Sequence, residues 1–468
     1  MIIIRKKWKL ALYAFGAIGV NLLNLMVGSY LCSALIATGF GEQAVANHTF
    51  AGIDLIIPAA WAIFSVVAKV IDGLIDIPMA QFTDRLKSRW GRRRPAIVLG
   101  MIPMVIAYCC FLLMPNSKEA TMGNTIYYFI MLVLFYCSYT LTMVTYYATF
   151  TEVVDNEKDR RFLTNTKSIA DIFYFIIGFA LVPMILKGMN VRIVALLVLP
   201  LVLVMLVPLF MIKEKSTKEG VEGEISEKVN IIDSIKYTFK NKDFIIWMIV
   251  YSFMTIGLQL FLSGINEFFS IGQMDMTITM ASSFAPVPLT FIVYNKLINK
   301  KGFKFAYQYT LLVYVLSMVS MFFIAYYVEP GIAKTICCIG GGIFASFSIG
   351  AMFAVAYSIP SQLAADDEKK TGISHSAMYF AIQGLFSALA AGIGGGMILT
   401  LLKDNTLFDL PATYFITIIS AIACFIAFVL AFFLPKSIKE LGKEKQKALD
   451  MELVEQKELV EENKEENV

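Results

Sequence analysis

Along most of this chain, apolar stretches long enough to cross a bilayer, about 20 residues each, alternate with short polar breaks. The runs are too long and too uniformly apolar for half-buried surface helices, so the sequence predicts repeated membrane spans. Six are placed at roughly 10–38, 52–80, 95–114, 124–152, 166–187 and 191–212, and six more at roughly 243–270, 276–299, 304–328, 332–360, 373–402 and 408–434. Between the two sets lies "KEKSTKEGVEGEISEKVN", the longest hydrophilic interruption between spans. The expected organisation is an N-terminal six-helix half (1–212), a cytoplasmic linker (213–242), a C-terminal six-helix half (243–434) and a charged cytoplasmic tail (435–468). The fold class expected is an all-α membrane protein of twelve transmembrane helices.

Composition agrees with this pattern. Of 468 residues 58% are hydrophobic and 16% charged, with a mean hydropathy of +0.69, whereas soluble domains run near a quarter charged. No cleavable signal peptide is expected, because the basic cluster of "MIIIRKKWKL" precedes an apolar run too long for one. The seven cysteines lie in apolar runs without a C-x-x-C pair and read as structural thiols. Two histidines, His48 and His375, are too few for a histidine-rich metal site, and no nucleophile–base pair points to an enzyme.

The distribution of charge is more informative than its total of +4. Lysines and arginines cluster before span one, between spans two and three (Lys87, Arg89, Arg92, Arg93, Arg94), after span four and between spans eight and nine, while alternate loops are poor in them. The positive-inside rule then predicts that both termini are cytoplasmic, in the cell membrane. Trp8, Trp90 and Trp247 fall near the predicted cytoplasmic interface, where aromatic rings are favoured. A weak echo of "PMAQFTDRLKSRWGRRRPA" in "PLTFIVYNKLINKKGFKFA" relates the halves, an arrangement found in transporters with the solute path between them. The glycine runs "AAGIGGG" and "IGGGIFASFSIG" suit close helix packing.

Span two poses the chemical question. Lys69, Asp72 and Asp76 fall within about 60° of arc on one helix face. A charge at mid-bilayer costs on the order of 3 kcal/mol, so such groups face a bundle interior or a wet cavity. Two carboxylates one turn apart either share a proton or recruit a cation. With Lys69 they sum to −1, which one monovalent cation would neutralise. A structural ion-pair network locking the helix is the other reading. The loop from Asp84 to Pro95, "DRLKSRWGRRRP", reads either as a topogenic basic patch or as a latch, with Gly91 permitting a tight turn.

That loop, with "YAFGAIG" (from Tyr13), "YYATFTEV" (from Tyr146), "DRRFLTNTK" (from Asp159) and "DDEKKTG" (from Asp366), resembles the glycoside–pentoside–hexuronide:cation symporters of the major facilitator superfamily, melibiose permease-like. The resemblance spans both halves in matching order. It implies a cation site at Asp72, Asp76 and Thr140, and substrate contacts at Asn21, Tyr147, Lys167 and Gln383. Read from charge and spacing, Lys69, Asp84, Arg85, Arg89, Arg92, Arg93, Glu152 and Asp171 are expected to form a gating and charge network. Ile75 stands where the family's cation site has an asparagine, so the coupling ion is left open between Na⁺ and H⁺. Met143 and Ala388 replace charged sugar ligands, which turns the expectation from galactosides toward another polar solute.

Beside the resemblance, Lys167 and Asp171 are spaced for an i,i+4 ion pair. Asn21 and Asn24 suit either hydroxyl recognition or interhelical contact. Gln259, Asn266 and Glu267, at the end of span seven, suit an outer gate. The expected function is cation-coupled symport of a sugar, glycoside or similar hydroxylated solute. Its partners are that solute, a monovalent cation and the bilayer, with no nucleic acid. A carrier of an amphiphile such as a lysophospholipid, and a non-transporting membrane sensor, are the rival readings.

Overall fold

The computed structural model describes residues 4, 6–113, 119–151, 153–154, 157–212, 214, 241–371 and 376–434. Among them, eleven helices are long and apolar enough to cross a membrane, and a bent pair makes a twelfth. In the first half, α1 is Lys7–Leu35, α2 Pro58–Arg85, α3 Arg93–Leu112 and α4 Met122–Ala148. Helix α5 runs from Glu157–Ile176 through Ile177–Leu181 to Val182–Leu186, and α6 is Val191–Met211. In the second half, α7 is Lys242–Ser263, α8 runs from Met276–Phe284 through Val287–Lys301 with its bend between Thr290 and Ile292, and α9 is Phe303–Tyr327. Helix α10 is Ile332–Thr371, α11 runs from Ser376–Ala391 through Gly392–Ile398 to Leu399–Lys403, and α12 is Ala412–Phe433. The strands are a two-residue ladder, Thr406–Leu407 with Leu410–Pro411, closed by Phe408 and Asp409 in the left-handed region.

The spans agree with hydropathy, but two helices outrun it. Helix α5 begins at Glu157 and α10 continues to Thr371, because backbone hydrogen bonding propagates through polar residues after the hydrocarbon core ends. Of the expected linker 213–242, Glu214, Asn241 and Lys242 are among the described residues; the tail 435–468 lies outside them. Four helix starts carry short polar caps. Thr121 accepts from the Asn124 amide, Asn190 from Arg192, Asn241 from Asp243 and Phe244, and Asp275 from Ile278.

The interior holds both apolar and polar residues, and large apolar side chains also stand on the outside, as a lipid solvent allows. Leu196, Leu203 and Phe210 of α6 are exposed, and so are Trp8 and Trp90. Trp247 differs from the interfacial expectation: it is wholly buried and donates to Gln383 at 3.0 Å.

Two seams join the halves. Along one, α2 meets α11 so closely that a Cβ on Gly73 would stand 2.8 Å from the Ala388 Cβ, and one on Gly392 would stand 2.9 Å from the Val66 Cα. A side chain on Gly73 therefore has no room without a shift at this seam. Along the other seam, Phe175 and Phe179 of α5 stack on Phe284 of α8, with ring centroids 5.7 and 6.1 Å apart.

Within the first half, a Cβ on Gly19 of α1 would run into the Leu201 backbone of α6. Gly19→Ala is therefore expected to cost about 1–3 kcal/mol through overpacking, read as a lower midpoint of thermal unfolding. An unchanged midpoint would show that α1 and α6 separate freely.

Candidate functional site

The carboxylates on α2 are held by their own helix and by α4. Lys69 Nζ donates to Asp72 Oδ2 at 3.2 Å, and Thr140 Oγ1 donates to Asp72 Oδ1, also at 3.2 Å. The Lys69 ammonium lies 3.7 Å from the centroid of the Tyr136 ring, a cation–π contact. Asp76 is close enough to interact with both Asp72 and Thr140, and it turns toward α11, where a Cβ on Gly384 would sit 3.9 Å from its Oδ2. Asp76 has no ion-pair partner among the described residues. The group as drawn carries two carboxylates, one ammonium and one hydroxyl, with a formal charge of −1.

A second charge cluster ties α5 to α1 and α4. Lys167 Nζ donates to both oxygens of Asp171 at 2.5 Å, the i,i+4 pair its spacing predicts. Asn21 Nδ2 reaches Asp171 Oδ1 at 3.4 Å, and Tyr139 donates to Asn21 Oδ1 at 3.1 Å. Lys167 also lies 5.0 Å from the Tyr147 ring centroid. Helix α4 is thus the spine between the two clusters: Thr140 serves Asp72, and its neighbour Tyr139 serves Asn21.

Both clusters border a cavity of about 300 Å³ between the halves. Helix α1 contributes Asn21, Asn24 and Ser29 to its lining, and α2 contributes Trp61, Ser65 and Lys69. Tyr136 and Tyr139 come from α4, and Tyr174, Phe175 and Phe179 from α5. From the second half come Gln259 and Ser263 of α7 and Gly395 and Gly396 of α11. Three of these helices widen into π-type turns beside the cavity: Met26–Leu31, Ile177–Leu181 and Gly392–Ile398. Such turns recur at functional sites because their carbonyls become available to side chains. Here Tyr30 donates to the Gly178 carbonyl at 2.5 Å and Asn266 to the Ser29 carbonyl at 2.6 Å.

On the face away from the N-terminus, the halves are closed by buried polar contacts. Lys403 Nζ at the end of α11 donates to Glu267 Oε1 at 2.8 Å and to the Ser33 carbonyl of α1 at 2.9 Å. Ser33 Oγ also donates to Glu267 Oε1. Lys403 and Glu267 are 3% and 0% exposed, so this ion pair is dry. Asn266 to the Ser29 carbonyl, the Gly41 amide to Ser270 Oγ and Thr413 to the Gly39 carbonyl add further bonds across the halves.

A sequence profile described as MFS/sugar transport protein matches residues 12–435. The chain belongs to that family. Two curated relatives match over shorter stretches: an uncharacterized symporter of Synechocystis (sll1374), 32% identical over 135 residues, and one of Bacillus subtilis (YnaJ), 29% identical over 158. These stretches cover 28% and 34% of this chain but only 24% and 30% of the relatives' own lengths. Among solved structures, a D-xylose–proton symporter superposes with TM-score 0.62 at 14% identity, covering 93% of this chain and 99% of that one. The nucleoside transporter NupG superposes with TM-score 0.60 at 15% identity, covering 93% and 100%. These likenesses carry the fold of an MFS protein, twelve helices in two halves; the proteins compared are transporters, not enzymes.

In this MFS chain the residues expected at the cation site, Asp72, Asp76 and Thr140, come together. Of the expected substrate contacts, Asn21 lines the cavity. Tyr147 and Lys167 stand together beside Asp171 rather than in the lining, and Gln383 accepts from buried Trp247. Of the residues expected at an outer gate, Asn266 and Glu267 bond across the halves, whereas Gln259 lies in the cavity wall. Sequence reading missed Lys403 and Ser33, although a lone glutamate at the end of span seven was itself a request for a cationic partner. It also missed Tyr136 and Tyr139, which stand with Thr140 at helical spacing.

In the basic loop, Gly91 adopts φ +84°, the tight turn its sequence predicts. Glu214, just past α6, accepts the Arg93 amide at 2.8 Å at the N-terminus of α3, where a carboxylate is favoured. Arg93 is buried, Arg92 half-buried and Arg89 exposed. The side chains of Asp84 and Arg85, and all of Glu152, lie outside the described residues.

Proposed function

We propose that this protein is a cation-coupled symporter of the glycoside–pentoside–hexuronide type, importing a small hydroxylated solute by alternating access across the cell membrane, with both termini cytoplasmic. The observation that carries the reading is the position of Lys69. It pairs with Asp72 and lines the cavity, so the carboxylate cluster and the solute chamber share one side chain. Asp72, Asp76 and Thr140 supply hard oxygen donors, the set that suits Na⁺, while the pair of carboxylates equally suits one shared proton. Adding one positive charge brings the cluster to neutrality, lowering the penalty for moving it through a dry, closed state. If cation binding tightens solute binding, solute tightens cation binding by the same factor. A cavity of about 300 Å³ matches a sugar-sized solute better than a long-chain amphiphile.

The test is thermal unfolding of purified protein in sodium, lithium or potassium at two pH values, with and without glycosides. A coupling ion present at about a hundred times its Kd adds about 2.7 kcal/mol. Asp76→Asn is expected to remove that protection. If every ion leaves wild-type unfolding unchanged and vesicles take up no solute, the protein is not a symporter.

A further inference from the structure

Each half carries a short basic turn between its second and third helices, and the two turns are balanced differently. In the first half Glu214 stands inside the turn. It accepts the Arg93 amide at 2.8 Å, and a Cβ on Gly91 would collide with its side chain. In the second half Gly302, at φ +86°, separates α8 from α9, with Lys296, Lys300, Lys301 and Lys304 around it. No Asp or Glu occurs from residue 276 to 328. Among the described residues, Lys296, Lys300 and Lys301 have no ion-pair partner. We infer that this second-half turn binds the headgroup of an anionic phospholipid, whose chains lie along α8 and α9. The inference is independent of the solute and of the coupling ion.

The turn gathers its charge by local geometry. A side chain at positive φ is strained, so glycine at 302 lets α9 begin directly after α8 ends. Lysines 300, 301 and 304 are thereby brought to one corner. Lys301 Nζ lies 4.4 Å from the centroid of the Phe305 ring, a cation–π contact. Lys304 Nζ donates to the Phe432 carbonyl at 2.5 Å, joining the start of α9 to the end of α12. Lys296, Lys300 and Lys301 are exposed.

The apolar surface beside the lysines chooses the occupant. Val293, Lys296 and Lys300, spaced three and four apart, share one exposed face of α8. Phe305, Tyr309, Leu312 and Leu316, spaced four, three and four, share one exposed face of α9. Each stripe leads from the basic corner along a membrane-spanning helix. A phospholipid satisfies both parts at once, with phosphate against ammonium and acyl chains against the stripes. The acidic stretch 450–468 of this chain has eight Asp or Glu against two Lys. It offers charge to the corner but no acyl chain to the stripes.

The test uses full-length protein in neutral detergent, titrated with phosphatidylglycerol or phosphatidylcholine and read by native mass spectrometry. Phosphatidylglycerol is expected to bind about tenfold more tightly. Lys300→Gln with Lys301→Gln is expected to erase most of that ratio, and Lys300→Arg with Lys301→Arg to keep it. Lys9→Gln with Lys87→Gln removes the same charge from the first half, and is expected to leave the ratio within about twofold. Phe305→Trp fluorescence locates the lipid without touching a lysine: brominated phosphatidylglycerol is expected to quench it more than brominated phosphatidylcholine does. Equal affinity for the two lipids overturns the inference. Equal losses in the two glutamine pairs overturn it as well, because the attraction then belongs to the whole basic face. Displacement of the lipid by soluble glycerophosphate at equal concentration overturns the lipid assignment. A preference that appears only after Glu461, Glu462, Glu465 and Glu466 are changed to Gln gives the corner to the acidic stretch, and the inference falls.

Discussion

Lys403→Met is expected to destabilise the protein by about 3–5 kcal/mol, the cost of leaving one partner of a dry ion pair uncompensated. Glu267 is fully buried, and Lys403 is its one ion-pair partner among the described residues. Its Oε2 has no hydrogen-bond partner, so the charge cannot fall back on another donor. Glu267→Gln is expected to be milder, because the amide oxygen still accepts from Ser33 and Lys403 still donates to the Ser33 carbonyl. The double variant Lys403→Met with Glu267→Gln removes both charges and is expected to recover most of the loss. Its non-additivity, about 1–3 kcal/mol, measures the pair itself. Unfolding midpoints of the four proteins at one detergent concentration make the comparison. Additive losses would mean that the two charges are solvated separately and do not form a gate.

The same pair explains how a tightly closed face can still open. In a dry contact the ammonium and carboxylate hold each other strongly because the surroundings screen poorly. Once the halves part and water enters, hydration replaces most of what the contact supplied. The contact is therefore strong when shut and inexpensive to leave open, which suits the alternating access proposed above. A cysteine at 270, beside the Ser270–Gly41 bond, reads that opening. Its labelling by a membrane-impermeant maleimide is expected to rise in Lys403→Met.

How far the sequence reaches depends on the distance over which each signal acts. The twelve spans follow from local hydropathy, and the Lys69–Asp72 and Lys167–Asp171 pairs from spacing within one helix. Thr140 came from a family pattern. The buried contact of Ser33, Glu267 and Lys403 shows the limit: the three residues are separated by more than a hundred positions each, and no periodicity within a helix links them. The burial of Trp247 was hidden for a related reason. A tryptophan near a span end satisfies the interfacial preference equally well from inside or outside the bundle, and only the position of Gln383 decides. The three π-type turns were equally hidden, since "MVGSYL", "IGFAL" and "GIGGGMI" share no residue pattern beyond glycine.

Asp72→Asn is expected to uncouple transport, and the charge count on α2 says how. The wild-type cluster of Lys69, Asp72 and Asp76 sums to −1; the variant sums to zero with Lys69 and Asp76 alone. A neutral cluster no longer needs an ion before the cavity closes. Cation affinity is therefore expected to fall by roughly 30-fold or more, about 2 kcal/mol, while downhill solute exchange persists and accumulation against a gradient is lost. Lys69→Met moves the sum the other way, to −2, and is expected to tighten cation binding while hindering closure with a single ion bound. Joining the two changes restores −1 on Asp76 alone, so Lys69→Met with Asp72→Asn is expected to regain cation-dependent protection that each arm of the cycle perturbs in opposite directions. Thr140→Val supplies the control for local geometry: it removes the 3.2 Å bond to Asp72 without altering the charge sum, and is expected to weaken the cation by less than Asp72→Asn does. Sodium- or pH-dependent protection that is unchanged in Asp72→Asn would leave the carboxylates as a structural network, and the coupling ion would have to bind elsewhere.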